Sequence, residues 1–199
     1  MANIKVSELD LKSTNLQTKD LLLVSEFQES DGTFTSKAMD GTTVFESIKE
    51  SFPFGTFLNT HGQSTTADTP TAMTFDTTPI TPYNVGLIEE TKIQIFETGV
   101  YNIQFSAQIY RTSGGTNQHI DIWFRVNGTD VDNSNTRMTV ANNGHYLVAS
   151  WNLFVPLNSN DYIEIIWSPS VETIILQSDT VGTIHPATPS VIATINRIN

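Results

Sequence analysis

The sequence predicts an all-β protein, an antiparallel jelly-roll sandwich preceded by a small hairpin-plus-short-helix module. Three observations carry that prediction. Apolar and polar residues alternate strictly in one segment after another beyond Gly55, and turn chemistry returns about every ten residues. Charge density also falls by about half near residue 52: residues 1 to 52 hold five Lys and nine Asp or Glu, against five basic and twelve acidic side chains in the remaining 147. Pro53 stops a helix at the same place, so the expected domains are residues 1–52 and 53–199.

In the first module Ile4, Val6, Leu9, Leu11 and Leu16 lie on an extended arm with no partner of its own. Leu21, Leu22 and Leu23 begin a short apolar strand within Lys19 to Phe27, Gly32 supplies a residue tolerant of positive φ for the turn, and the return strand is expected from Thr33 to Ala38. Asp40-Gly41 turns the chain again, and Thr43-Val-Phe-Glu46 reads as a capping box opening a two-turn helix through Lys49 or Glu50. A hairpin, one short helix and an apolar arm bury too little surface to stand alone, so this module is expected to lean on copies of itself or on another protein.

The second module is β throughout. Tyr101, Ile103, Phe105, Ala107 and Ile109 alternate with Asn102, Gln104, Ser106 and Gln108, which sends one face inward and leaves the other wet. The same period holds Ile120, Ile122, Phe124 and Val126 against His119, Asp121 and Arg125, and recurs in Leu147, Ala149, Trp151, Leu153 and Val155. Further strands are expected at Gly55 to Asn59, Ala72 to Phe75, Asn84 to Ile88, Lys92 to Phe96, Asp161 to Ser168, Thr173 to Gln177 and Ser190 to Arg197. About ten short strands imply two apolar faces covering each other. Phe154, Ile192 and Ile198 fall on the second face of their strands, and an apolar outer face calls for a neighbour, most naturally a symmetric copy.

Composition narrows the function. A chain of 199 residues buries roughly 70% of its unfolded surface and needs no staple, and the absence of cysteine removes disulfides and thiol chemistry and fits a reducing cytoplasm. The N-terminus carries no apolar h-region and no stretch reaches the roughly 20 apolar residues of a membrane span, so neither conventional export nor membrane insertion is expected. A net charge of -11 repels phosphate backbones and acidic membranes, which argues against nucleic acid as a partner.

No candidate site reads as catalytic, and no cofactor is implied. His61, His119, His145 and His185 are scattered without zinc spacing. Asp130, Asp132 and Asn133 cluster oxygen ligands that calcium would accept, but without the closing Glu of an EF-hand, and a solvated hairpin loop accounts for them as well. Glu89, Glu90, Glu164 and Glu172 have no context that makes a glycosidase cleft, and Ser150 and Ser168 lack a nucleophile elbow. Asn127-Gly-Thr fits a glycosylation sequon but reads better as a type I′ turn. Trp123, Trp151 and Trp167 are each candidates for a sugar-stacking platform, although packing in the core or an oligomer interface is the commoner fate of Trp in such strands. Trp123 stands out as a receptor contact because it falls on the otherwise polar face beside Asp121 and Arg125.

Phe96-Glu-Thr-Gly-Val-Tyr-Asn-Ile-Gln-Phe-Ser-Ala, with the closing Pro189-Ser-Val-Ile-Ala-Thr-Ile-Asn-Arg-Ile, resembles the jelly rolls of the tumour necrosis factor and complement globular-head superfamily over some twenty-two residues. That resemblance implies a homotrimer in which Tyr101, Ile103, Phe105, Trp151, Phe154 and Ile195 pack the core or the three-fold axis. Val6-Ser-Glu-Leu, Asp20-Leu-Leu-Leu-Val-Ser, Gly32-Thr and Lys37-Ala-Met-Asp-Gly-Thr resemble the N-terminal attachment segments of tailed-bacteriophage virion proteins. They imply docking to capsid or tail proteins through residues 1–52, with Val6, Leu9, Leu11, Leu16, Leu21, Leu22 and Leu23 as attachment residues. Together these features suggest a non-enzymatic virion protein made in a bacterial cytoplasm. Capsid decoration or head fibre is favoured by the lack of a long shaft, the alternative being a tail fibre or tip that binds host surface glycans. A polysaccharide-degrading enzyme and a secreted cytokine-like ligand are the weaker rivals.

Overall fold

The structure, a computed structural model, describes residues 21–28, 32–42, 44 and 52–198. The chain divides into two compact units, Met1–Ser51 and Phe52–Asn199.

In the first unit β1 (Leu21–Gln28) and β2 (Thr33–Asp40) form the expected antiparallel hairpin, in register from Leu21 opposite Asp40 to Gln28 opposite Thr33. Gly32 adopts a φ of 68°, as the turn demands. Leu21, Leu22 and Leu23 lie on β1, and β2 runs two residues beyond the expected Ala38. Gly41, Thr42 and Val44 are helical, whereas Thr43 with the rest of the expected capping box and helix, and Val6, Leu9, Leu11 and Leu16 of the arm, lie outside the described residues.

The second unit is a jelly roll. One sheet runs β10 (Thr136–Val140), β8 (Gln118–Val126), β12 (Tyr162–Pro169), β6 (Lys92–Ile95), β5 (Val85–Ile88), with β4 (Thr71–Ala72) added to β12 and β9 (Thr129–Asp130) to β8. The facing sheet runs β11 (Tyr146–Leu157), β7 (Gly99–Arg111), β14 (Val191–Arg197), β3 (Phe54–Asn59), with β13 (Ile174–Leu176) added to β7. Every pairing is antiparallel, and the chain crosses between sheets from β3 to β4, β6 to β7, β7 to β8, β10 to β11, β11 to β12 and β12 to β13. The centre of the seven-stranded sheet joins β8, β12 and β6, which are distant in sequence, so the sandwich closes only when distant segments meet.

The alternation translates directly into burial. Tyr101, Ile103, Phe105, Ala107 and Ile109 of β7 face Ile120, Ile122 and Phe124 of β8 and Ile163, Ile165 and Trp167 of β12 across the core. Phe105 is its hub, edge-on to Phe124 at 5.8 Å and to Trp151 at 4.5 Å between ring centroids. Fully burying one such side chain stabilises the fold by about 1.5–3 kcal/mol. Of the residues expected to pack the core or the three-fold axis, Tyr101, Ile103, Phe105 and Ile195 are buried, Trp151 is partly buried, and Phe154 points out of the sandwich. Trp167 is buried with no hydrogen-bond partner for its indole N–H.

Two local expectations need correction. Ala72 to Phe75 is not a regular strand: only Thr71–Ala72 pairs with β12, after which the main-chain N–H groups of Met73 and Phe75 reach the carbonyls of Ile165 and Glu90 while both side chains enter the core. Thr136–Val140, left unassigned by the alternation, is the edge strand β10.

Arg111 continues the inward register of β7, and its guanidinium is buried. It donates from Nε to the Ser113 carbonyl at 2.9 Å and from Nη1 to the carbonyls of Thr116, Val140 and Ala141, so main-chain acceptors stand in for a carboxylate. Gly114, at φ 107°, lies against it: a Cβ there would sit 2.4 Å from Arg111 Nη2. Between β13 and β14 a surface loop is closed by Asp179 and Thr188, which exchange both main-chain hydrogen bonds at 2.9 Å, while Val181 and Ile184 between them are exposed.

Candidate functional site

The turn Asn127-Gly128 takes positive φ at both residues, 49° and 79°, the type I′ geometry expected of Asn-Gly. It folds β9 back onto β8, so that Asp130 stands directly opposite Arg125. The Asp130 carboxylate accepts, on Oδ1, the Trp123 indole N–H at 2.8 Å and the Arg125 Nε–H at 2.7 Å. One strand pair over, Ser168, Asp121 and Arg137 lie abreast on β12, β8 and β10. Arg137 binds Asp121 through two nitrogens, Nε to Oδ1 at 3.0 Å and Nη2 to Oδ2 at 2.9 Å, and Asn135 adds a third donor at 3.0 Å. His119 Nε2 lies 3.9 Å from the same carboxylate.

Asp121, Trp123, Asp130, Asn135, Arg137 and Ser168 line a depression of about 390 Å³ on the outer face of the seven-stranded sheet, together with Val131, Asp132 and Asn133. The loop that forms its rim is fixed from below. Buried Ser134 accepts the Phe124 N–H at 3.1 Å and donates to the Val131 carbonyl at 2.7 Å, and Asn133 is left-handed at φ 61°.

Both bound carboxylates are held below the ordinary range. For Asp130 the Arg125 hydrogen bond is the largest cause, followed by the Trp123 N–H. For Asp121 burial raises the carboxyl, but the Arg137 and Asn135 hydrogen bonds and the Arg137 charge outweigh it. The reciprocal effect raises Arg137.

The sequence singled out Trp123 as a receptor contact and Asp130, Asp132 and Asn133 as calcium ligands; the structure brings all four to one depression. Asp130 is directed at Arg125 and Trp123 rather than at an open cation position. Among the described residues no three His, Asp or Glu side chains are grouped to hold a metal. The other candidates are dispersed. Glu89 and Glu90 form the β5–β6 turn at φ 51° and 60°, with Glu89 paired to Lys92. Glu164 accepts a hydrogen bond from Thr91 at 3.2 Å, Glu172 lines a separate depression with Ser64, Thr65 and Thr66, and Ser150 faces outward from the other sheet. His61 pairs with Asp76 at 2.7 Å, His145 Nδ1 accepts the Ala141 N–H at 3.1 Å, and His185 Nδ1 lies 2.9 Å from the Pro186 carbonyl.

A second surface differs in chemistry. The outward positions of β3, β7, β11 and β14 carry no charged residue at all, although 16% of the chain is charged. Phe154 is 58% exposed there, Tyr146 57%, Val148 53% and Phe54 41%. Between them Asn152 donates to Asn102 at 2.9 Å and Asn102 to Asn196 at 3.3 Å, a neutral polar ladder across three strands.

No protein-family model matches the sequence, and no curated protein matches it either. Among solved structures the chain is similar to the crystal structure of murine APRIL, with a TM-score of 0.46 and 9% identity over 74% of this chain and 99% of that one.

Proposed function

We propose that the chain is a non-enzymatic structural protein of a bacteriophage particle, a homotrimer whose residues 1–52 dock to capsid or tail proteins while the jelly roll forms the displayed head. The observation that carries the assembly half is the uncharged outward face of β3, β7, β11 and β14. A chain of net charge -11 repels its own copies wherever charge is exposed, and this sheet offers a face where that repulsion is absent and aromatic surface is available. The three-fold number follows from the superfamily resemblance of the β7 and β14 segments, and the virion role from the resemblance of the N-terminal segments. Three arms engaging one particle gain affinity through effective concentration even when each is weak. Capsid decoration or head fibre is the favoured position. The Trp123 depression is the specific feature that favours the second reading, a receptor-binding tip.

Light scattering on the full chain tests the assembly: three times the 22.0 kDa chain mass is expected, and Phe154→Asp is expected to yield monomer. A monomeric wild type at tens of micromolar would remove the trimer. Density-gradient banding of particles tests the docking. The full chain is expected to band with them and a chain lacking residues 1–52 to stay at the top.

A further inference from the structure

The depression on the seven-stranded sheet has the parts of a recognition site for one particular ligand chemistry. Trp123 is an aromatic plane on the solvent side of a sheet whose other outward positions nearby are Asp121, Arg125, Ser168 and Arg137. Its ring is oriented by the N–H bond to Asp130, so it does not turn freely. The volume, about 390 Å³, falls within the roughly 300–1,000 Å³ of small-molecule sites. Its lining, apart from Trp123 and Val131, is polar, which suits a ligand that is hydroxylated around its edge and apolar on one face.

Charge narrows the class further. Arg125 and Arg137 are each neutralised by a carboxylate, Asp130 and Asp121, and Asp132 adds a carboxylate with no hydrogen bond or ion pair among the described residues. Three carboxylates against two guanidinium groups leave the site net negative, within a chain that is itself acidic. Sialylated, sulfated or phosphorylated ligands would be repelled. Each paired carboxylate and guanidinium instead presents acceptor and donor side by side, the arrangement that meets two adjacent hydroxyl groups.

We infer that this depression binds an uncharged pyranose saccharide, one sugar ring stacking on Trp123 and its hydroxyls meeting the Asp121–Arg137 pair, Asn133, Asn135 and Asp132. The inference deepens the receptor-tip reading of this site and is independent of trimer formation, because one protomer supplies every lining residue.

The test uses the full-length chain on an array of neutral hexose and N-acetylhexosamine oligosaccharides beside sialylated and sulfated ones. Intrinsic fluorescence titration with the best neutral binder follows. Neutral glycans are expected to bind and to perturb the emission of Trp123, the one tryptophan at this surface. Trp123→Ala is expected to weaken binding at least tenfold, and Asp132→Ala, at an exposed position that leaves the fold alone, by about threefold. Trp123→Phe keeps an aromatic plane and is expected to retain more binding than Trp123→Ala, which guards against a variant that merely misfolds. Silence toward every neutral glycan, binding confined to anionic ones, or binding undiminished in both Trp123→Ala and Asp132→Ala would each overturn the site. Phe154→Asp is included as a monomer control: glycan binding retained in that variant with trimer lost, or the reverse pattern in Trp123→Ala, separates failure of the site from failure of the assembly.

Discussion

The Trp123 indole N–H donates to Asp130 Oδ1 at 2.8 Å, the same oxygen that accepts Arg125 at 2.7 Å. One carboxylate atom therefore fixes both an aromatic plane and a cation, and its protonation is felt by both. Because the folded Asp130 titrates below an ordinary Asp, its contribution to stability is present above the unfolded pKa and is lost as pH falls through the folded value. The Trp123 indole N–H resonance is expected to shift along that same titration, below about pH 4. A shift centred in the ordinary aspartate range or above would mean the bond does not form in solution.

Asp76 should dominate the acid limb of stability. Burial raises its carboxyl, but His61, Thr60 and Thr77 together lower it to about 2. With the folded value depressed, its stabilisation is complete above the unfolded value of about 4 and disappears as pH drops toward 2. Urea unfolding of wild type and Asp76→Asn between those limits should show a shallower pH slope in the variant. Parallel slopes would assign the acid sensitivity elsewhere.

The buried Arg111 guanidinium is expected to be worth more than any surface ion pair of the sandwich. Arg111→Met leaves the carbonyls of Ser113, Thr116 and Ala141 without their donor and should cost about 3 kcal/mol, read as a lowered denaturation midpoint with unchanged m. Gly114→Ala forces a β-carbon against the same group at a left-handed φ and should cost about 1–3 kcal/mol.

Trp167 and Ile195 are both buried, yet they should respond differently to truncation. Trp167→Phe gives up ring area but also removes an unpartnered N–H, whose burial costs about 1–3 kcal/mol, so the net change is expected within about 1 kcal/mol of wild type. Ile195→Ala has no such offset and should cost about 2–5 kcal/mol.

An oligomer formed through an uncharged sheet should ignore salt. The mass by light scattering is expected to stay constant from about 0.05 to 0.5 M NaCl, over which surface ion pairs are strongly screened. Dissociation on raising salt would point to a charged interface instead.

Much of the sandwich was legible because its central strands alternate without interruption. β7 and β11 showed their inward faces residue by residue, and that period, carried one step past Ile109, also places Arg111 inside. It went unnoticed because an arginine at a strand end is ordinarily a solvated residue, and only the fold supplies the carbonyls that receive it. β10 escaped because Thr136, Arg137 and Thr139 give an edge strand too polar for the alternation to register. Met73 and Phe75 misled in the other direction, since an apolar run signals burial but not a regular ladder. The candidate site lay in two pieces, Trp123 on one side of the Asn127-Gly128 turn and Asp130, Asp132 and Asn133 on the other. The turn type joins them, because a two-residue type I′ hairpin sets Asp130 across from Arg125 by geometry alone.

The loop pinned by the reciprocal Asp179–Thr188 hydrogen bonds has a use in protein engineering. Its two stems are clamped at a fixed separation and the residues between them are mostly exposed, so foreign peptide grafted there would lengthen a segment whose ends are already anchored. Closure entropy grows only logarithmically, about 0.6 kcal/mol for each doubling of length, so epitopes of a dozen or more residues become cargo that the jelly roll can carry without refolding.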